Sequence, residues 1–267
     1  MVDHHALQRK KLFLFDLDGT LYLGEQLFPG VTDLLAHIRQ SGGRYRFLTN
    51  NSSRSVNAYV QKFARLGVSA RPEDFLTSVD ALIAHLRAHG GEGRRYYVCG
   101  TASMKSQLRA AGFTVAEKRE EADALLMGFD TELTFQKLED ACILLGQGVP
   151  YISTNPDWVC PTSYGFVPDC GSVCEMLWRA TNRRPLVIGK PEPAMPRLAM
   201  AQAGVSAQET LLVGDRIYTD IASGANAGID TLLVLSGETK EADLPAADPQ
   251  PTFVLPDVQA LFNILNH

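Results

Sequence analysis

The chain has 267 residues, of which 45% are hydrophobic and 21% charged, which is typical of a globular protein with one large or two smaller domains. Its net charge of −5 at pH 7 provides no basic surface, so we expect no nucleic-acid partner. No apolar run approaches the roughly 20 residues of a membrane span, and Met1–Lys11 lacks the apolar segment of a signal peptide. We therefore expect no membrane partner and a cytoplasmic location.

The first predicted strand ends at two carboxylates. Residues 12–15 form a continuous apolar run, which is typical of a strand buried on both faces, and Asp16 and Asp18 follow it directly. Apolar residues at helical spacing then predict a helix over 31–38. A buried strand that stops at carboxylates favours a ligand site, because ligands of parallel sheets bind beyond the carboxyl ends of the strands.

A second strand–helix unit follows the first. Residues 45–48 predict a strand that ends at Thr49 and Asn50, and a helix over 56–66 stops at Gly67. Two such units in series favour a parallel sheet with right-handed crossovers.

Residues 80–185 predict a second, smaller α/β unit with its own core. Strands are expected at 95–99, 124–129 and 151–153, with helices between them. The first pattern resumes with a strand at Leu186, so we expect a core of residues 1–79 and 186–267 with 80–185 inserted.

The resumed core supplies two further polar strand ends. Lys190 follows the predicted strand at 186–188, and Asp215 ends the predicted strand that begins at Thr210. A helix from about Thr219 and a last strand at 231–235 complete the expected core. The fold class predicted for the chain is therefore α/β with a parallel sheet and an inserted domain.

Each polar strand end also has a structural alternative. Asp16 is also compatible with a turn or a helix N-cap, Thr49 and Asn50 with an N-cap, and Lys190 with a solvated loop. Taken together, these residues favour a shared site over separate structural roles, because the carboxyl ends of parallel strands converge at one edge.

The residue types fit phosphoryl transfer. A carboxylate such as Asp16 can attack phosphorus, and Asp16 and Asp215 can hold Mg²⁺ together with waters and phosphate. Lys190, Thr49 and Asn50 can bind the phosphoryl oxygens, as charge neutralisation requires. Asp18 can protonate the leaving group and then activate water.

The same residues, in this order, resemble the four motifs of the haloacid dehalogenase-like (HAD) hydrolase superfamily. The motifs are Asp16-Leu17-Asp18-Gly19-Thr20, Thr49-Asn50, Lys190-Pro191, and Gly214-Asp215-Arg216 with Thr219-Asp220. The insertion between the second and third motifs, with Thr154-Asn155-Pro156-Asp157, is similar to the NagD or p-nitrophenylphosphatase-like subfamily (class IIA).

The resemblance implies a Rossmann-like, doubly wound core, an α/β cap that covers the site, and hydrolysis of small phosphomonoesters such as nucleoside monophosphates or sugar phosphates. It implies Asp16 as the nucleophile, Asp18 as the acid/base, and Mg²⁺ held by Asp16, the Asp18 carbonyl and Asp215. Thr49, Asn50 and Lys190 would bind phosphate, and Asp220 would orient the metal-bound waters or Lys190. Subfamily members often pair through their caps, which makes a homodimer one expected state.

Other functions share parts of this pattern. Dehalogenases of the superfamily lack the second aspartate, and its transport ATPases usually have threonine at the position of Asp18. A phosphomutase, or a catalytically weak protein that only binds a phosphorylated metabolite, stays open as an alternative.

Substrate selection is expected in the inserted unit, because the core chemistry requires only a phosphate and a metal. Asn155, Asp157 and Trp158 are the residues we expect to select the leaving group, together with the predicted loop over 164–173, whose glycines let backbone approach a ligand. Trp158 is also compatible with packing in the core of this unit or at an interface. In this unit Cys160, Cys170 and Cys174 lack the spacing of a paired zinc site, so buried or half-buried thiols are favoured over zinc.

Overall fold

The structure is a computed structural model that describes residues 4–162 and 164–267, so the first three residues of Met1–Lys11 lie outside it. The α-helices are α1 (His4–Gln8), α2 (Val31–Gln40), α3 (Val56–Arg65), α4 (Ser78–Ala88), α5 (Ala102–Ala110), α6 (Phe135–Gly146), α7 (Cys170–Thr181), α8 (Ala194–Ala203), α9 (Ala222–Ala227) and α10 (Val258–Leu265). The strands are β1 (Leu12–Phe15), β2 (Tyr22–Leu23), β3 (Gln26–Leu27), β4 (Arg44–Thr49), β5 (Phe75–Thr77), β6 (Arg95–Cys99), β7 (Thr114–Val115), β8 (Ala124–Met127), β9 (Tyr151–Ser153), β10 (Val159–Thr162), β11 (Gly165–Pro168), β12 (Leu186–Val187), β13 (Thr210–Gly214), β14 (Asp230–Val234) and β15 (Phe253–Leu255).

The chain divides into two compact units. The first contains Met1–Thr49, Val60–Leu76 and Lys190–His267, and the second contains Asn50–Tyr59 and Thr77–Gly189. Our predicted insertion, 80–185, differs from the second unit mainly at residues 50–59, which continue directly from the end of β4.

The first unit is built on a six-stranded sheet with the order β15-β14-β13-β1-β4-β5. Strand β1 pairs in parallel with β4 on one side and with β13 on the other. All residues of β1 and β13 are buried, as expected of central strands covered on both faces. Helices alternate with these strands, which confirms the α/β fold class predicted from the sequence.

An aromatic cluster fills the core of the first unit beside β4. The ring of Phe47 lies 4.6 Å from that of Phe63 and 5.0 Å from that of Phe75, and Tyr22 meets Phe63 edge to face at 5.9 Å. Such aromatic pairs each contribute about 1 kcal/mol beyond their buried area. The cluster therefore anchors α3, which carries Phe63, to the sheet.

The second unit is built on a five-stranded parallel sheet with the order β12-β9-β8-β6-β7. Strand β12 at its edge pairs Leu186 with Ile152, so the strand that we predicted to resume the core belongs to the inserted unit instead. A two-residue apolar strand fits either sheet equally well by pattern, which is why the sequence did not distinguish them. The return to the first unit occurs at Lys190.

Two elements of the second unit replace the loop that we predicted over 164–173. Strands β10 and β11 form an antiparallel hairpin, and α7 begins immediately afterwards at Cys170 with Asp169 as its N-cap. Gly171 lies in the first turn of α7, where an added Cβ would collide with the Pro156 carbonyl oxygen. This glycine therefore permits close packing of the protein backbone against itself, and the expected approach to a ligand is wrong for Gly171.

None of the helices within 4–162 and 164–267 combines the length and the hydrophobicity needed to cross a bilayer.

Candidate active site

Three carboxylates meet at the carboxyl edge of the first sheet. Asp16 follows β1 and Asp215 follows β13, and because these strands pair in parallel, both side chains leave the sheet at one edge. Asp220 joins them, and each of the three residues brings a carboxylate oxygen within 4.8 Å of the other two.

Asp220 reaches this edge from a π-helix, Ile217–Ile221, which precedes α9. Its Oδ2 accepts a hydrogen bond of 3.1 Å from the Arg216 amide. An added Cβ at Gly214 would collide with the Asp220 side chain, so the glycine lets this carboxylate pack against the end of β13. Single turns of π-helix occur frequently at functional sites, and here the turn aims a carboxylate at the sheet edge.

Lys190 links two of the carboxylates. Its Nζ donates to Asp16 Oδ1 at 2.5 Å and to Asp220 Oδ1 at 2.6 Å, with the lysine 3% exposed. Burial lowers the pKa of Lys190, but the charges of Asp16 and Asp220 outweigh it and raise the pKa above the ordinary value. The ammonium therefore stays charged at neutral pH.

Asp16 and Asp215 both have raised pKa values. Burial raises the pKa of Asp16 well above its ordinary value, against the attraction of Lys190 and with the help of the Asp220 and Asp215 charges. Burial, together with the charge of Asp220, raises the pKa of Asp215 from 3.8 to about 6. Three carboxylates facing one ammonium are an oxygen-rich, negatively charged group, which fits a hard divalent cation.

Backbone and side-chain atoms closely surround the Asp215 carboxylate. Its Oδ2 accepts from the Glu238 amide at 2.7 Å, and its Oδ1 lies 3.4 Å from the donating hydroxyl of Thr20. An added Cβ at Gly19 or at Gly237 would collide with the carboxylate. The backbone thus fixes this side chain before any ligand arrives, which favours a role as a metal ligand.

Asp18 lies in a different environment from the three clustered carboxylates. Its side chain is 50% exposed, its Oδ2 is 3.3 Å from the Tyr22 hydroxyl, and its Oδ1 is 3.8 Å from the Lys62 ammonium. Lys62 in turn lies 3.6 Å above the centre of the Tyr22 ring. A carboxylate that reaches solvent and is held from one side is suited to exchange a proton.

Thr49 is the last residue of β4, the parallel neighbour of β1, so it also lies at the carboxyl edge of the sheet. It is buried. Asn50 follows it directly in the chain but belongs to the second unit, where its Nδ2 donates to Asp157 Oδ2 at 2.9 Å.

Comparison with known proteins connects these residues to a family. A model of haloacid dehalogenase-like hydrolases matches residues 13–114, and a second model, described as HAD-hydrolase-like, matches residues 187–261. Over 259 residues the chain is 31% identical to an acid sugar phosphatase of Staphylococcus haemolyticus, which covers 97% of this chain and 98% of that protein. The chain belongs to the haloacid dehalogenase-like hydrolases.

Solved structures of two phosphatases have the same fold. A 4-nitrophenylphosphatase of Thermotoga maritima is 38% identical with a TM-score of 0.94, and the match covers 98% of this chain and all of that one. A glycerol phosphate phosphatase of Mycobacterium tuberculosis, solved in complex with magnesium, is 32% identical with a TM-score of 0.90, covering 96% of this chain and 77% of that one. The resemblance to the NagD or p-nitrophenylphosphatase-like subfamily is confirmed, and this HAD hydrolase is a phosphoric monoester hydrolase.

In the second unit of this HAD hydrolase, the three residues that we expected to select the leaving group divide into two kinds. Trp158 is 56% exposed. Asn155 and Asp157 are buried and hydrogen-bonded to each other, with 2.8 Å between Asn155 Nδ2 and Asp157 Oδ2. Their contacts are with the protein, and the role that we predicted for them in substrate selection stays a prediction.

The cysteines of the second unit are thiols. Cys170 and Cys174 are buried one turn apart on α7 with their sulfurs 3.9 Å apart, and Cys160 is half-buried in the hairpin. In the part of the chain that the structure describes, the cluster with metal-ligand geometry is Asp16, Asp215 and Asp220, and it contains no cysteine.

Sequence reasoning assigned no role to the residues that support the site. Lys62 and Tyr22 flank Asp18, and Thr20 and Gly237 enclose Asp215. Lys62 lies on the amphipathic helix α3, where a lysine is ordinarily solvated, so no pattern distinguished it. Gly237 follows β14 and shows no signal beyond an ordinary turn.

Proposed function

We propose that this hydrolase releases phosphate from small phosphomonoesters in two Mg²⁺-dependent steps, with Asp16 as the nucleophile. The observation that carries the proposal is the arrangement of Asp16 within a cluster of Asp215, Asp220 and Lys190 at the sheet edge. A Mg²⁺ ion held by Asp16, Asp215 and the Asp18 carbonyl would neutralise charge on the transferring phosphoryl group.

In the first step an oxygen of the Asp16 carboxylate attacks phosphorus and the bond from phosphorus to the ester oxygen breaks. Asp18 gives its proton to the departing oxygen, so the leaving group departs as an alcohol and Asp16 carries the phosphoryl group. In the second step Asp18 removes a proton from water, which attacks phosphorus. The bond from phosphorus to the Asp16 oxygen breaks, which restores the Asp16 carboxylate and releases inorganic phosphate.

Lys190 and Thr49 support both steps by binding phosphoryl oxygens, and Asn50 is proposed to donate to the same group. Lys190 already contacts Asp16, so its charge lies beside the nucleophile and beside the oxygens that gain charge during transfer. Asp220 holds the other side of the ammonium and thereby positions it.

We propose a small phosphorylated metabolite as the substrate. The relatives carry names such as acid sugar phosphatase and glycerol phosphate phosphatase, which place their substrates in this class. Selection by the exposed Trp158, a homodimer through the inserted unit, and a cytoplasmic location stay predictions.

The test is phosphate release from 4-nitrophenyl phosphate with and without Mg²⁺, for the wild type and Asp16→Asn. Release that requires both Mg²⁺ and Asp16 would support the proposal. Equal, slow release by both proteins would contradict it. An isomeric phosphate ester formed from a sugar phosphate, in place of inorganic phosphate, would indicate the alternative phosphomutase.

A further inference from the structure

Asn50 is held in the second unit by a buried carboxylate. Its Nδ2 donates to Asp157 Oδ2 at 2.9 Å, and its backbone carbonyl accepts from the Ser78 hydroxyl at 2.7 Å. Asn50 and Asp157 are 9% and 7% exposed, so this hydrogen bond is shielded from water. A buried hydrogen bond to a carboxylate is stronger than one between neutral groups.

The environment also defines which way the Asn50 amide points. The NH₂ group faces Asp157, where Asn50 Nδ2 donates to the carboxylate oxygen Oδ2. The amide oxygen lies on the other side, where an added Cβ at Gly189 would come 2.6 Å from it. Gly189 directly precedes Lys190, another proposed phosphate-binding residue, so the backbone leading to that lysine packs against the Asn50 amide.

Asp157 is itself fixed by its neighbours. Asn155 Nδ2 donates to the same Oδ2 at 2.8 Å and to Asp169 Oδ1 at 3.0 Å. The Asp157 carbonyl accepts from the Gly171 amide in the first turn of α7. The chain Asp169–Asn155–Asp157–Asn50, which we call the amide relay, therefore connects the start of α7 to Asn50.

We propose that Asp157 is a positioning residue for phosphate binding, which acts by holding the Asn50 amide in one orientation. The inference rests on the proposed function, in which Asn50 donates to the phosphoryl group. It assigns Asp157 to the part of the substrate that all phosphomonoesters share, whereas our sequence-based expectation assigned it to the leaving group.

The two roles predict different results for Asp157→Ala. Positioning predicts that the inhibition constant of inorganic phosphate rises about tenfold, equivalent to about 1.4 kcal/mol, and that a panel of phosphate esters loses kcat/KM by a common factor. The ranking of the substrates stays as in the wild type. Asp157→Asn keeps an acceptor oxygen and is expected to stay within about threefold of the wild type.

A double-mutant cycle separates positioning from direct contact. Asn50→Ala weakens inhibition by phosphate, and Asp157→Ala added to it is expected to cause no further loss, because the amide that Asp157 holds is already gone. Asp140→Ala is the matched control, because Asp140 is an equally buried carboxylate of the same unit, 8% exposed, whose hydrogen bonds come from Tyr97 and Arg119. It is expected to lower the melting temperature and leave the inhibition constant unchanged.

Losses that multiply in the double variant, or a changed substrate ranking with unchanged inhibition by phosphate, would overturn the proposal. If Asp157→Ala does not fold, Asn155→Ala replaces it in the cycle. We expect Asn155→Ala to weaken inhibition by phosphate about threefold in the wild-type background and to cause no further weakening in Asn50→Ala. An inhibition constant that Asn155→Ala leaves unchanged in both backgrounds would overturn the proposal. Failure of the proposed function is distinguishable, because wild type and Asp16→Asn would then release phosphate equally slowly.

Discussion

The two units of this hydrolase hold buried carboxylates in opposite ways. At the sheet edge of the first unit, Asp16, Asp215 and Asp220 crowd around a single ammonium, and burial raises the pKa of Asp16 and Asp215. In the second unit, Asp157 and Asp169 are bridged by the neutral amide of Asn155. The first arrangement has an excess of negative charge that a cation can neutralise. The second fixes the positions of its side chains through hydrogen bonds.

Under the proposed function, the first arrangement supplies the reacting groups and the second fixes the orientation of a donor. A site that binds a cation must be electrostatically unfavourable when empty, because the same repulsion that raises the carboxylate pKa values is relieved by the metal. A network of amides and carboxylates lacks that instability and is suited to fix a donor. Substitutions in the two units should therefore affect different quantities.

The largest expected effect is that of Asp16→Asn on catalysis. The amide cannot form the acyl phosphate, so we expect phosphate release to fall by about 10⁴-fold or more, as for other removed nucleophiles. The measurement is the steady-state release of phosphate from 4-nitrophenyl phosphate with saturating Mg²⁺. Circular dichroism of the variant serves as the control for folding, and residual activity near that of the wild type would refute the assignment.

Asp18→Asn should have a smaller effect that depends on the leaving group. Without a proton donor, a poor leaving group such as a sugar alcohol should depart about 10²- to 10³-fold more slowly, within the range of general acid–base catalysis. Release of 4-nitrophenolate, which needs no proton, should be less affected in the first step. Pre-steady-state kinetics with both substrates would measure this difference, and full turnover of a sugar phosphate would show that Asp18 is wrongly assigned.

Mg²⁺ affinity should fall in acid. The pKa of Asp215 in the folded, metal-free protein is about 6, and Mg²⁺ binds the carboxylate form, so protons compete with the metal as the pH falls through that value. Below about pH 6 each pH unit should weaken the affinity about tenfold per displaced proton. Isothermal titration at several pH values tests this, and a flat profile down to about pH 4.5 would contradict it.

The smallest expected effect is a gain of stability for metal-free Asp215→Asn. The folded pKa of about 6 exceeds the ordinary 3.8, so the folded state binds more protons than the unfolded state between about pH 4 and 6. The contribution of Asp215 to the stability of the metal-free wild type therefore falls as the pH rises through this range, by about 3 kcal/mol at 1.36 kcal/mol per pH unit.

Asparagine removes this penalty but weakens the hydrogen bond from the Glu238 amide, so we expect a net gain of about 1–2 kcal/mol at neutral pH. Urea unfolding in EDTA at about pH 7.5 and about pH 4 measures it. The gain should vanish at the lower pH, and Mg²⁺ should stabilise the wild type and not the variant. A variant less stable than the metal-free wild type at about pH 7.5 would contradict this account.

Much of the first unit could be predicted from the sequence because its central strands are fully buried. Strand β1 has the predicted bounds, and Asp16 and Asp215 follow strands that are buried at every position. A strand buried on both faces must lie in the centre of a sheet that is covered on both sides. The carboxyl ends of parallel strands converge at one edge, which places the carboxylates together.

The second unit was less predictable because its elements are short and its polar residues face inward. The hairpin of β10 and β11 contains two prolines, and α7 starts with a glycine in its first turn, so neither pattern indicates regular structure. The bond between Asn50 and Asp157 joins residues 107 positions apart. No local periodicity contains that contact, and the sequence therefore did not indicate Asn50 as a partner of Asp157.

The central claim is that Asp16 carries the phosphoryl group, and trapping that intermediate tests it most directly. The enzyme would be mixed with a phosphate ester and Mg²⁺, quenched during turnover, and reduced with borohydride, which converts an aspartyl phosphate to homoserine. Our account predicts homoserine at position 16 in the peptide map of the wild type, and none without Mg²⁺. Homoserine at position 18 or 215, or an unmodified Asp16 in an enzyme that is releasing phosphate, would contradict it.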